Sequence, residues 1–232
     1  LLAECEQKVK VRGIIHTAGV LDDGILRQQN LARFETVMAA KVRGAWHLHQ
    51  QSQTLDLDFF VAFSSVASLI EEPGQANYAA ANAFLDSLMH YRHARGANSL
   101  SINWGAWAEV GMAADLSFQQ PGITSIPPAQ GGCVLVELIQ RLNRDTSPQI
   151  AVQPTNWSEY LFHVGMNMPF YEYFAHHLPN EEAAKLPQTA GSTAAQVSLR
   201  QQLQALPATD RDALLMEHLE KTAVKILGLA SN

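Results

Sequence analysis

The 232-residue chain is 47% hydrophobic and 16% charged, enough apolar material for a packed core and too much for a disordered or collagen-like chain. Sixteen basic against 22 acidic residues leave a net charge of −6 with no basic run, which argues against nucleic acid as a partner. The two cysteines, Cys5 and Cys133, provide neither a disulfide framework nor a Cys-x-x-Cys metal site and suit a reducing cytoplasm.

The opening residues do not read as a signal peptide, and no apolar run reaches the roughly 18 residues of a membrane span. A soluble, cytoplasmic chain is expected. Residues 11–16 are rich in β-branched side chains and run into the small-residue turn Thr17-Ala18-Gly19, so they are expected to form a strand. Further strands are expected at 57–63, 99–104 and 149–153, with helical periodicity over about 31–52, 78–95 and 128–143 between them. That alternation predicts an α/β fold of βαβ units, with right-handed crossovers and a parallel sheet covered on both faces.

Past residue 155 the texture changes. Trp157, Tyr160, Leu161, Phe162, Phe170, Tyr171, Tyr173 and Phe174 crowd a short stretch that reads as a segment packed back on the domain. Residues 181–195 turn polar around Pro187 and Gly191 and read as a linker. The leucines from Leu199 to Leu227 then form an amphipathic helical pattern with nothing to pack on, as in the first helix of a further domain. The expected division is 1–165, 166–195 and 196–232.

Candidate chemistry lies in the first part. Ser64 and Ser65 follow the expected strand at its carboxyl end, where open α/β sheets place ligands. Tyr78 comes thirteen residues after Ser65, Asn82 four after that on the same helix face, and Lys41 lies 24 before Ser65. A phenol donates a proton to a carbonyl poorly until a nearby cation stabilises its anion, and a serine hydroxyl can hold the same carbonyl oxygen. Singly, these residues have plainer readings: a serine pair after a strand is usually a turn or cap, and a lone tyrosine usually packs. Trp104, Trp107 and Trp157 read as core, with a possible second role for Trp107. His16 reads as a satisfied turn residue and Cys133 as a small buried apolar one. His47 and His49, two apart on one helix, do not make a metal site.

Ser-x12-Tyr-x3-Asn with an upstream lysine resembles the ketoreductase domain of modular type I polyketide synthases, a branch of the short-chain dehydrogenase/reductase superfamily. Matching stretches are His16-Thr17-Ala18-Gly19, Lys41-Val42-Arg43-Gly44, Phe63-Ser64-Ser65, Gly74-Gln75-Ala76-Asn77-Tyr78 and Asn103-Trp104-Gly105-Ala106-Trp107. The resemblance spans roughly residues 10–160. It implies a Rossmann-like sheet, NADPH as cofactor, and a β-ketoacyl thioester on an acyl carrier protein as substrate. By the same implication Tyr78 donates the proton, Ser65 positions the keto oxygen, and Asn82 supports the relay. Lys41 would lower the Tyr78 pKa and hold the nicotinamide ribose. Thr17, Ala18, Gly19, Gly105, Ala106 and Trp107 would complete the cofactor site, Ala106 standing where many superfamily members have proline. Leu21, Asp22 and Asp23, with Pro73 and Asn77, resemble the B-type subclass, which implies a D-hydroxyl product.

The sequence holds no G-x-G-x-x-G turn to cradle a pyrophosphate. The resemblance therefore leads to the expectation of the carboxyl-terminal half of a ketoreductase, strands four to seven of the full sheet, followed by a linker and the start of an acyl carrier protein. The upstream half and other synthase domains would be its partners. The alternative is a truncated, incompetent reductase kept as an interaction module. A free-standing dehydrogenase is disfavoured by the linker and trailing helix.

Overall fold

The computed structural model describes residues 2–70, 73–112, 120–164 and 169–179, with a few isolated positions between 207 and 216. The expected linker at 181–195 and most of the expected carrier helix lie outside the described residues. A short helix α1 (Leu2–Lys8) precedes strand β1 (Gly13–His16). Helices α2 (Leu31–Met38) and α3 (Gly44–Gln51) lead to β2 (Phe59–Ser65), α4 (Ala76–Ala94) to β3 (Ser99–Trp104), and α5 (Pro128–Arg141) to β4 (Gln149–Val152). Helices α6 (Trp157–Val164) and α7 (Pro169–His176) follow.

The four strands form one parallel sheet in the order β1-β2-β3-β4, with Ile14 opposite Phe60, Phe63 opposite Ile102 and Ile102 opposite Ile150. Sequential parallel order requires a crossover between each pair of strands, and the helices that supply it cover both faces. On one face Leu85, Leu88 and Met89 of α4 and Ala45 of α3 pack on Ile14, Phe60 and Ala62. On the other, Val134, Leu135, Leu138 and Ile139 of α5 lie on Val61, Leu100, Ile102 and Trp104. Helix α2 is capped by Asn30, whose side chain accepts from the Arg33 amide at 3.1 Å, while α5 opens on Pro128, where a missing N–H costs nothing. The aromatic stretch does pack back: Tyr160, Leu161 and Tyr171 close against Ile70 and Ile123.

Four particulars differ from the sequence-based expectations. Strand β2 begins two residues later than expected and continues through Ser65, so Ser64 and Ser65 end the strand rather than follow it. His16 is the last residue of β1, not a turn residue; it is buried, and its Nε2 has no hydrogen-bond partner. Cys133 is exposed on α5 rather than buried. The helical stretch at 31–52 is broken by a π-helical turn, Ala39–Arg43, in which the Gly44 amide reaches back to the Ala39 carbonyl.

The centre of the sheet should carry much of the stability. Ile102 is fully buried between neighbours on both sides, and Ile102→Ala is expected to cost about 2–5 kcal/mol. Urea denaturation measures this, and a loss below ~1 kcal/mol would mean that α5 does not close on β3 as described.

Candidate active site

The carboxyl ends of β1, β2 and β3 open into a cleft of about 600 Å³, the position at which parallel sheets bind ligands. Lys41 reaches it from the π-helical turn, an irregularity of the kind found at functional positions. Its side chain is almost wholly buried, and Nζ donates to the Phe63 carbonyl at 2.9 Å. The ammonium also lies 5.2 Å from the centre of the Tyr78 ring, within cation–π range. Burial pushes the Lys41 pKa down to about 8, against the negative charge of Asp86, which holds it up. Gly19 borders this side chain: an added Cβ would lie 3.0 Å from Lys41 Cε and 3.4 Å from Met112 Cε, so glycine keeps that wall open.

Tyr78 stands in the first turn of α4, buried except at its cleft side. Burial raises its pKa above the ordinary phenol value; the side chains of Asn82 and Ser65 pull the other way, and the charge of Asp23 adds to the rise. The net direction is therefore opposite to the lowering expected from Lys41, because desolvation outweighs the nearby donors. Ser65, the last residue of β2, accepts from the Ala67 amide at 3.2 Å and so caps the short turn Val66–Ser68. Its plain capping role and its place on the cleft coexist, since the hydroxyl proton is not used by that bond.

The second wall is the loop at 21–24, tied down at several points. Arg33 donates to the Asp23 carbonyl at 2.6 Å and pairs with the Asp22 carboxylate at 3.0 Å. Gln75 bonds Asp23, and the Asn77 amide group donates to the Asp22 carbonyl at 2.8 Å while its oxygen accepts from the Tyr78 amide. Gly24 donates to the Gly74 carbonyl at 2.9 Å, and Gly74 takes φ 85°, a left-handed conformation that disfavours any side chain. The loop is thereby fixed to the start of the helix that carries Tyr78.

Lys41, Ser65 and Tyr78 share the cleft with Thr17, Gly19, Leu21, Asp23, Pro73, Gly105, Ala106 and Trp107. Four expected residues do not line it. Ala18 is exposed to solvent, and Asp22 and Asn77 act behind the loop as described. Asn82 turns its Nδ2 to the Tyr78 carbonyl at 2.8 Å, leaving a buried Oδ1 without a partner. Sequence reasoning assigned no role to Gln75, Met112 or Gln153, which line the cleft; Gln75 lies in the stretch matched before Tyr78, while Met112 and Gln153 carry no motif that could have singled them out. Trp104, read as core, belongs to both core and cleft.

Residues 1–109 match the sequence profile of the KR domain. The mycoketide-CoA synthase of Mycobacterium tuberculosis is 30% identical over 240 residues, and polyketide synthase GfsA of Streptomyces halstedii 33% over 239, each alignment taking in 100% of this chain. By these matches the chain is similar to the ketoreductase domains of polyketide synthases. Solved A-type ketoreductases from a modular polyketide synthase resemble it with a TM-score of 0.65 at 33% identity, over 72% of this chain and 36% of theirs. An A1-type ketoreductase gives 0.68 at 31% identity, over 79% and 38%. The chain spans 3% of GfsA and 6% of the mycoketide-CoA synthase.

The cleft suits one end of a nicotinamide cofactor. Lys41 and Thr17 put donor groups on its lining, and Gly19 keeps the wall open beside Lys41. Ser65, at the end of β2, and Tyr78, whose ring lies 5.2 Å from the Lys41 ammonium, line the same cleft.

Proposed function

We propose that this chain acts as a ketoreductase domain, reducing a β-ketoacyl thioester, presented on an acyl carrier protein, to the β-hydroxyacyl thioester, with NADPH as the cofactor. The observation that carries the reading is the convergence of Lys41, Ser65 and Tyr78 on one cleft at the carboxyl ends of the strands. The cofactor, when bound, supplies the hydride. Ser65 Oγ, already fixed by the Ala67 amide, donates to the keto oxygen and orients it. Tyr78 delivers a proton to that oxygen as negative charge develops there. Its raised pKa keeps the phenol protonated at neutral pH, the form in which a donor must wait. Lys41 holds the ribose and places positive charge beside the phenol as its anion forms. Asn82 supports the relay from behind through the Tyr78 carbonyl.

In this proposal the chain supplies strands four to seven of a larger sheet and the catalytic residues, the upstream half of the domain supplying the pyrophosphate cradle. In the same proposal the chain divides at 1–165, 166–195 and 196–232, the reductase part being followed by a linker and then the opening of a carrier protein. Leu21, Asp23 and Pro73 narrow one side of the cleft, and Arg33 and Asn77 fix the loop that bears the first two. Such a fixed wall selects which keto face meets the hydride, and the resemblance to the B-type pattern gives the D alcohol. Chiral chromatography of the product from a simple β-keto thioester should return that isomer. Predominance of the L alcohol would contradict the stereochemical assignment, and absence of any alcohol the reaction itself.

A further inference from the structure

Asp86 is a carboxylate with only 6% of its surface exposed. It lies on the stripe of α4 that also bears Tyr78 and Asn82, at successive four-residue steps. Ionised groups are buried only when hydrogen bonds replace the lost water, and Asp86 is fully served. Ser101 Oγ donates to Oδ1 at 2.6 Å, Ser68 Oγ to Oδ2 at 2.7 Å, and Asn103 Nδ2 approaches both oxygens at 3.0–3.1 Å. Two of these donors also touch Ser65: its carbonyl lies 2.9 Å from Ser68 Oγ and 3.2 Å from Asn103 Nδ2. One carboxylate thus joins α4 to the turn after β2 and to β3.

We infer that Asp86 is a positioning residue of this site, clamping the Tyr78 helix to β3 and to the turn that follows Ser65, and acting through its charge on the lysine of the cleft. The inference rests on the proposed reductase reading for its kinetic consequences, but its structural consequence does not. An apolar residue at position 86 would fill the same space in a helix-to-sheet contact otherwise made by Leu85 and Met89; a carboxylate is needed only if its charge or its acceptors are used. The groups that face Lys41 are His16 on β1, Tyr78 on α4 and Asp86 itself, with Asp23 acting on Tyr78 from the loop. Asp86 favours the charged ammonium through its charge, the Phe63 carbonyl and the Tyr78 ring lie against the same Nζ, and burial opposes them.

The test uses Asp86→Asn, Asp86→Glu and Ser68→Ala in the intact reductase, with Tyr78→Phe as the control for the reaction. Asp86→Asn should lower kcat on the order of tenfold and move the alkaline limb of the kcat/KM profile to lower pH, because Lys41 loses its countercharge. Asp86→Glu should restore the limb, and Ser68→Ala should lower kcat severalfold with the limb in place. Cofactor-free protein gives an independent readout. The alkaline rise in thermal stability that accompanies Lys41 deprotonation should begin at lower pH in Asp86→Asn. A purely structural Asp86 would reduce the melting temperature and leave both pH dependences unmoved, which would overturn the inference. If Asp86→Asn does not fold, wild-type kcat in Ser68→Ala overturns it. An active Tyr78→Phe control would instead reject the reductase reading while leaving the cofactor-free stability test valid.

Discussion

Tyr78→Phe should lower turnover by roughly 10²–10⁴-fold, the usual worth of a positioned general acid, with cofactor binding kept. The substitution removes one oxygen and leaves the ring, which packs with Val37, Ala67 and Ala81, so the fold and the cation–π contact with Lys41 should persist. Fluorescence titration of NADPH against wild type and variant separates the two effects. Near-wild-type turnover in the variant would remove Tyr78 from the reaction and with it the proposed mechanism.

The second large effect concerns Lys41, which the structure makes a liability for stability. Its pKa falls from 10.5 to about 8, a difference on the order of 3 kcal/mol against folding when the group must be charged. The folded state binds its proton less tightly than the unfolded state. The penalty is therefore complete below pH 8 and disappears as pH rises from about 8 to 10.5. Lys41→Met should be more stable than wild type at pH 7, by on the order of 1–3 kcal/mol after allowing for the lost bond to Phe63, and the gain should shrink toward pH 10.5. The same variant should be nearly inactive, since it lacks the cation beside Tyr78. Denaturant melts across that pH range check the first half; a variant less stable than wild type at pH 7 would mean that the ammonium is well solvated by the site.

The elements most legible in the sequence were those whose patterns reflect one dominant force. Strands β1 to β4 and helices α4 and α5 were each placed within a few residues, because apolar periodicity and burial agree there. Lys41, Ser65 and Tyr78 were legible through their spacing and resemblance alone, and the structure gathers them on one cleft. Strand β3 taught something different. Ser99-Leu100-Ser101-Ile102-Asn103-Trp104 alternates as a half-exposed strand would, yet all six residues are buried. Its polar face is turned to Arg92 and Asp86 of α4, which bond Ser99 and Ser101, so the alternation records a buried polar layer rather than solvent. That layer pairs residues of two successive elements, α4 and β3, and the periodicity of neither element alone reports it. The π-helical turn that carries Lys41 was hidden for a similar reason. A one-residue widening leaves the apolar repeat nearly intact, and Lys41 lies within it.

The central claim is that this cleft carries out ketone reduction, and isotope transfer tests it most directly. The intact reductase is given a β-keto thioester and NADPH bearing deuterium at the transferable position of the nicotinamide, and the product is analysed by mass spectrometry. The account predicts a β-hydroxy thioester with one deuterium on the β-carbon, formed by wild type and lost in Tyr78→Phe. Consumption of neither substrate nor cofactor by a folded wild-type protein, or a product without deuterium at that carbon, would contradict it.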